Sequence, residues 1–174
     1  MKMKTLMMMT MAVMMLGLLP CVTAVAQETA TTDDLYALIL KAVPVIEELG
    51  EEGLEAFKDP NGEFVVKGSY AFVLDCSTMK MVAHPVAKII GVSLYDTTDN
   101  NPDPAKVKHH GREMCELSKN PNGGWLDFYY ADKDTNKIVR KVGFVLGVPG
   151  TNYTVVSSAP DATSNIEELN ASLK

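Results

Sequence analysis

The chain has 174 residues, 16 Lys and Arg, 22 Asp and Glu, and three Cys, enough for one modest domain around a single core. A net charge of −6 without a Lys/Arg block excludes a phosphate-driven nucleic-acid binder, which needs a clustered basic face. It also disfavours attachment to an anionic membrane surface.

Lys2 and Lys4 precede an apolar run over 6–19, Pro20 breaks it, and Ala24-Val25-Ala26 supplies small residues ahead of Gln27. This is the pattern of a secretory signal cleaved after Ala26. Residues 1–26 are therefore expected to be a signal peptide, 27–174 the one domain, and the protein periplasmic or secreted. The alternative is an uncleaved N-terminal anchor, since 6–26 approaches the roughly 20 apolar residues a span needs; the A-x-A site favours cleavage. Pro20 sits where a small residue would precede a lipidated Cys21, which argues against a lipoprotein. Removing 26 of the 174 residues leaves 148, and removing Lys2 and Lys4 leaves 14 basic against 22 acidic side chains, a distinctly acidic protein. Two cysteines remain, Cys76 and Cys115. In an oxidising compartment a single disulfide between them is the economical reading, two buried free thiols the other.

From Thr31 a helix is expected, capped by Thr32 or Asp33, with Leu35, Leu38, Ile39, Ala42, Ile46 and Leu49 at helical spacing. Pro44 should kink it and Gly50 should end or bend it. A short helix over 51–57 follows, closed by Asp59-Pro60-Asn61-Gly62. The period then drops to two: strands are predicted over 70–74 and 80–83 as a hairpin, then over 125–131, 137–147 and 153–158. Between them lie a polar loop over 96–104 and a helix placed at 112–119, because Gly111 would interrupt an earlier start. A C-terminal helix is expected over 164–173. Consecutive strands with tight turns favour an α+β fold, an antiparallel sheet with the long N-terminal helix on one face.

Several motifs in this order, Glu48-Leu49-Gly50-Glu51-Glu52-Gly53, Phe57, Asn61-Gly62, Tyr70-Ala71-Phe72-Val73, Ala83-His84-Pro85, Gly91, Gly124-Trp125 with Phe128, Arg140-Lys141-Val142-Gly143-Phe144, and Val148-Pro149-Gly150 before Tyr153, resemble the single Cache family. These are extracellular sensor domains of bacterial chemoreceptors and kinases. The resemblance covers most of the mature chain and implies a long N-terminal helix packed on a five-stranded antiparallel, PAS-like sheet, with a small-molecule pocket on the other face. It also implies departures. Phe128 and Phe144 stand where the family usually has tyrosines, and Ser157-Ser158-Ala159-Pro160 replaces a more usual Gly-containing strand end. Both put the family's small carboxylate ligands in question.

His84 either lines that pocket or bonds backbone at the end of its strand. Lys141 lies inside an apolar strand, where an inward ammonium is costly unless paired, so it points to solvent or meets an anion. Gly143 shares its face and leaves volume beside it. Trp125, Phe128, Tyr130 and Phe144 either wall the pocket or fill ordinary core, and alternation sets Leu126, Phe128 and Tyr130 opposite Trp125, Asp127 and Tyr129. The expected ligand-binding set is thus His84, Lys141, Trp125, Phe128, Tyr130, Gly143 and Phe144.

Cys76, Met79, Met81 and His84 have the softness for Cu(I), but parity sets both methionines opposite His84 and the disulfide claims Cys76. Asp96, Asp99, Asn101 and Asp103 lack the Gly and closing Glu of a calcium loop, and His109-His110 reads as a solvated pair. No metal or cofactor is assigned. GxSxG, HExxH, Walker and CxxCH signatures are absent, so an enzyme is not expected. The reading is an exported module for a small carboxylate or similar metabolite. With no output domain in the sequence, its signal is expected to pass through a separate membrane receptor or kinase, or through a homodimer along the N-terminal helix. A structural or protein-interaction module without a ligand is the alternative.

Overall fold

The computed structural model describes residues 28–132 and 135–173, so the expected signal peptide lies outside the described residues. Helix α1 (Thr32–Leu49) is capped by Thr31, one residue ahead of Thr32 and two ahead of Asp33, the expected caps. Thr31 Oγ1 accepts from Asp34 N at 3.2 Å while Asp34 Oδ2 accepts from Thr31 N at 2.8 Å, a reciprocal box that satisfies two otherwise unpaired donors. Pro44 lies inside α1 without ending it. It is exposed, and the carbonyl it deprives of a donor belongs to Leu40, also on the solvent side at 46% exposure, where that loss costs least. Gly50, at φ 60, terminates the helix, and a 3₁₀ segment (Gly50–Phe57) follows. Leu49, expected on the apolar stripe, is 51% exposed where the chain turns off the helix.

Among the described residues six strands form one sheet: β1 (Val65–Val66), β2 (Ser69–Asp75), β3 (Lys80–Ala83), β4 (Gly124–Ala131), β5 (Ile138–Gly147) and β6 (Tyr153–Pro160). Every pair is antiparallel, in the order β1-β2-β6-β5-β4, with β3 also on β2. The five expected strands are all present. β1 is an addition, joined to β2 through Lys67 (φ 44) and Gly68 (φ 77), the two left-handed residues that a tight hairpin requires.

Strand alternation divides the apolar side chains into two cores. Leu35, Ile39, Ala42 and Ile46 of α1 meet Val73, Val142, Phe144 and Val155 on one face. Phe72, Leu74, Leu126, Phe128, Val145 and Val156 face the other way. That second face is covered by helix α2 (His110–Leu117) and by the segment 87–95, which runs along β3: Gly91 N donates to Met81 O at 2.7 Å and Leu94 N to Met79 O at 2.7 Å.

α2 starts two residues earlier than expected and contains Gly111. A Cβ there would lie 2.5 Å from Leu94 Cβ, so the glycine is what lets the helix seat against the covering segment. Arg112 fastens the same joint, its Nε donating to Tyr95 O at 2.7 Å and its guanidinium stacking 4.2 Å from the Tyr95 ring centre. The Cys76–Cys115 disulfide, with Cα atoms 5.6 Å apart, ties α2 to the β2–β3 turn. Helix α3 (Ile166–Ser172) is held by Asn170, whose Oδ1 accepts from Trp125 N at 2.7 Å and whose Nδ2 donates to Trp125 O at 2.9 Å. No helix among the described residues is long and apolar enough to cross a membrane.

Candidate functional site

Between the sheet face away from α1 and its cover of α2 and the 87–95 segment lies a cavity of about 120 Å³. Its apolar wall comes from Phe72 of β2, Met81 of β3, Phe128 of β4, Met114 of α2, and Ile89 and Leu94 of the covering segment. Tyr70, His84, His110, Tyr130, Lys141 and Ser158 bring polar atoms to it. Tyr130 is 46% exposed and Lys141 is half-buried, so these two stand on the open side.

Four of the expected ligand residues, His84, Phe128, Tyr130 and Lys141, are brought together here. The pairing of Phe128 with Lys141 across β4 and β5 sets the ammonium-bearing side chain beside the aromatic ring. Trp125 and Phe144 are corrected: both belong to the core under α1. Their ring centres lie 4.9 Å apart, and Phe144 lies 4.9 Å from Tyr36 of the helix. Gly143 does face the cavity side but does not line it; a Cβ there would meet Ser157 O and Ser158 Cβ at 3.3 Å each, so the volume beside it is already filled. Of the two missing tyrosine hydroxyls, only that at Phe128 therefore bears on the cavity.

The parity argument that separated Met81 from His84 also fails. The register shifts between Val73↔Ala83 and Leu74↔Met81, a bulge that inserts Val82 and inverts the alternation. Met81 and His84 consequently share the cavity. The copper set still does not assemble, because Cys76 is in the disulfide, and no three His, Cys, Asp or Glu side chains among the described residues group as a metal site. His110, read as solvated, is 6% exposed and lies flat against Phe128 at 5.4 Å with an 18° tilt.

The electrostatics of the cavity are those of neutral polar groups with a cation at the open side. His84 Nδ1 accepts from Val86 N at 2.8 Å, which puts the neutral ring's proton on Nε2. Burial pushes its pKa down to about 4, since a desolvated imidazolium is disfavoured. Burial likewise lowers His110 and raises the Tyr70 phenol, with nearby Tyr130 adding to that rise. Outside the cavity, Asp99 is 3% exposed. It accepts from Lys108 N at 2.9 Å and Tyr129 N at 3.0 Å, so it staples the 96–104 loop to β4 and is not a calcium ligand set. Lys108 and Arg140 both bond Asp127; burial opposes ionisation of that carboxylate, but the two cations hold its pKa low.

Comparison with known proteins gives the lineage of this arrangement. Among curated proteins none matches significantly. Solved structures share the fold. The chain is similar to a methyl-accepting chemotaxis protein from Vibrio parahaemolyticus RIMD 2210633 (17% identity, TM-score 0.57, 74% of this chain and 86% of that one). It is similar to a Cache chemosensory domain studied for carboxylic acid recognition (17%, 0.58, 76% and 100%), and to the periplasmic sensor domain of a chemotaxis protein (20%, 0.56, 75% and 90%). The Cache domain profile matches residues 47–165, a stretch that runs from the end of α1 through all six strands and both faces of the sheet, and the chain belongs to the Cache domain family.

Proposed function

We propose that the protein is an exported, non-enzymatic sensory module whose cavity holds a short-chain monocarboxylic acid. The observation that carries this reading is the cavity itself, apolar-walled, partly enclosed and ringed by convergent polar groups including Lys141. An apolar cavity of about 150 Å³ accepts benzene, so about 120 Å³ suits an acid of roughly four to six heavy atoms. With a phenylalanine at 128, Met81, Met114 and Leu94 around it, a hydrocarbon tail is favoured over a hydroxylated one. The similar Cache chemosensory domain studied for carboxylic acid recognition supports the same ligand class.

The carboxylate is assigned to the Phe128 end of the cavity, within reach of Lys141 and His84, with the tail against the sulfur and aliphatic side chains. The signal then passes to a separate membrane receptor or kinase, or through a homodimer along α1, whose outer face presents Leu40 at 46% exposure. A thermal-shift series with acetate, propionate and butyrate is expected to raise Tm in proportion to the logarithm of ligand concentration above Kd. Lys141→Ala should abolish the rise while leaving the unliganded Tm within a few degrees. No rise with any of these acids would remove the ligand reading and leave the interaction-module alternative in its place.

A further inference from the structure

We infer that His110 is a second carboxylate-binding residue of this cavity and that it engages the acid by taking up a proton. The inference rests on the acid-binding reading above. His110 opens α2, lines the cavity and is 6% exposed, yet its Nδ1 is buried with no hydrogen-bond partner. A buried polar nitrogen left unpaired is costly, and in a site that receives a carboxylate the partner it fits is a ligand oxygen.

The position is determined by Phe128. His110 stacks on that ring at 5.4 Å, and Lys141 pairs with Phe128 across the neighbouring strand, so one planar carboxylate at the ring can address both groups. Lys141 brings an ammonium donor to the cavity. A neutral imidazole can become a stronger, charge-assisted donor only by protonation, and an arriving carboxylate favours that charged form. His84 is not suited to the same role: its Nδ1 already accepts from Val86 N, and a proton there would break that bond.

The charged and titratable groups around His110 are compatible with this. Lys108 and His109 precede it in the chain, Asp99 comes from the loop, and Glu113 lies one turn along α2. Asp127 and Tyr130 of β4, Lys141 of β5, Tyr70 of β2 and His84 beyond β3 complete the set. Burial is the largest influence and keeps the free ring neutral; Asp99 favours the imidazolium and His109 opposes it. A bound carboxylate adds a second anion to the side of Asp99, and the proton balance is one proton from solvent onto the imidazole per acid bound as its anion.

The test uses the purified protein with propionate. Calorimetric titration at pH 6 in buffers of different ionisation enthalpy should give a proton uptake of at least half a proton per propionate, and Kd should tighten about tenfold or more from pH 8 to pH 5.5. Imidazole nitrogen NMR, with only three histidines in the chain, should show the His110 titration moving up by roughly two pH units on saturation while His84 stays neutral above pH 5. His110→Gln should bind propionate with an affinity that no longer depends on pH over this range. Binding without proton uptake overturns the inference and leaves the acid site standing. Proton uptake that follows His84 overturns the assignment to His110. No propionate binding at any pH removes both readings.

Discussion

Burial of the His84 imidazole makes stability depend on pH in the mildly acidic range. His84 titrates near 6.5 in an unfolded chain but at about 4 in the folded one, so between those values the unfolded state holds more protons. Stability therefore falls as the pH drops from 6.5 to about 4, and this contribution is fully lost below. The loss attributable to His84 is on the order of 2 kcal/mol between pH 7 and pH 5, with His110 adding in the same direction. The carboxylates act elsewhere. Backbone and Lys67 hydrogen bonds hold Asp34 at about 2; at Asp161 burial pushes upward but the Ser164 and Thr163 hydrogen bonds prevail, again giving about 2. Their stabilisation is lost only as the pH falls below about 4 toward 2. His84→Asn retains a short acceptor for Val86 N–H and removes the titration, so urea unfolding of this variant should lose markedly less stability than wild type from pH 7 to pH 5. An acid dependence identical to that of wild type would refute the assignment.

At the scale of elements, α1 and strands β2 to β6 were legible from their apolar periods, 3.6 for the helix and two for the strands, although β3 has only four residues. β1, with two residues, has no period to read. The cavity was legible in part: alternation set Phe128 and Tyr130 on one face and an apolar strand singled out Lys141, while His84 came from the family resemblance. Legibility failed at Met81, where a bulge visible only in the β2–β3 register inverted the faces, and at Trp125 and Phe144, which the family comparison drew toward the pocket although parity had already set Trp125 opposite Phe128. His110 could have been found by a longer argument. The disulfide fixes Cys115 beside Cys76 at the end of β2, and five residues of helix before Cys115 extend about 7.5 Å over the same sheet face. That bridge makes α2 a tethered cover. Its loop spans 39 positions, worth about 3 to 4 kcal/mol in the chain-entropy picture, so Cys76→Ser with Cys115→Ser should lower unfolding stability by about that much. Because the tether also orients His110 and Met114, the double variant should weaken propionate binding; wild-type affinity with lowered stability would show that the bridge does not position the cover.

Across the whole molecule the sheet separates a closed core from one that has room. The face under α1 is filled by large, fully buried side chains, Leu35, Ile39, Ile46, Phe57, Phe64 and Phe144. The opposite face keeps its cavity beneath one eight-residue helix and a segment, 87–95, built mostly of short turns. Local opening free energies follow buried contact and regular hydrogen bonding, so the two faces should open independently. Partly covered by α2 and 87–95, the cavity exchanges its occupant most readily when the cover lifts from the sheet, an opening that leaves α1 undisturbed. Amide hydrogen exchange should therefore show α2 and 87–95 exchanging through local openings well below the global unfolding free energy, while α1 and the centre of β5 exchange only with global unfolding. Saturating propionate should slow the covering segment most. At a free concentration of 100 times Kd it should add about 2.7 kcal/mol to the protection of any amide whose opening releases the ligand, and α1 should gain the same increment only through the global term. If the cover exchanges as slowly as α1 in the free protein, the ligand must reach the cavity through the existing mouth, and occupancy can be signalled only by rearrangement within the sheet.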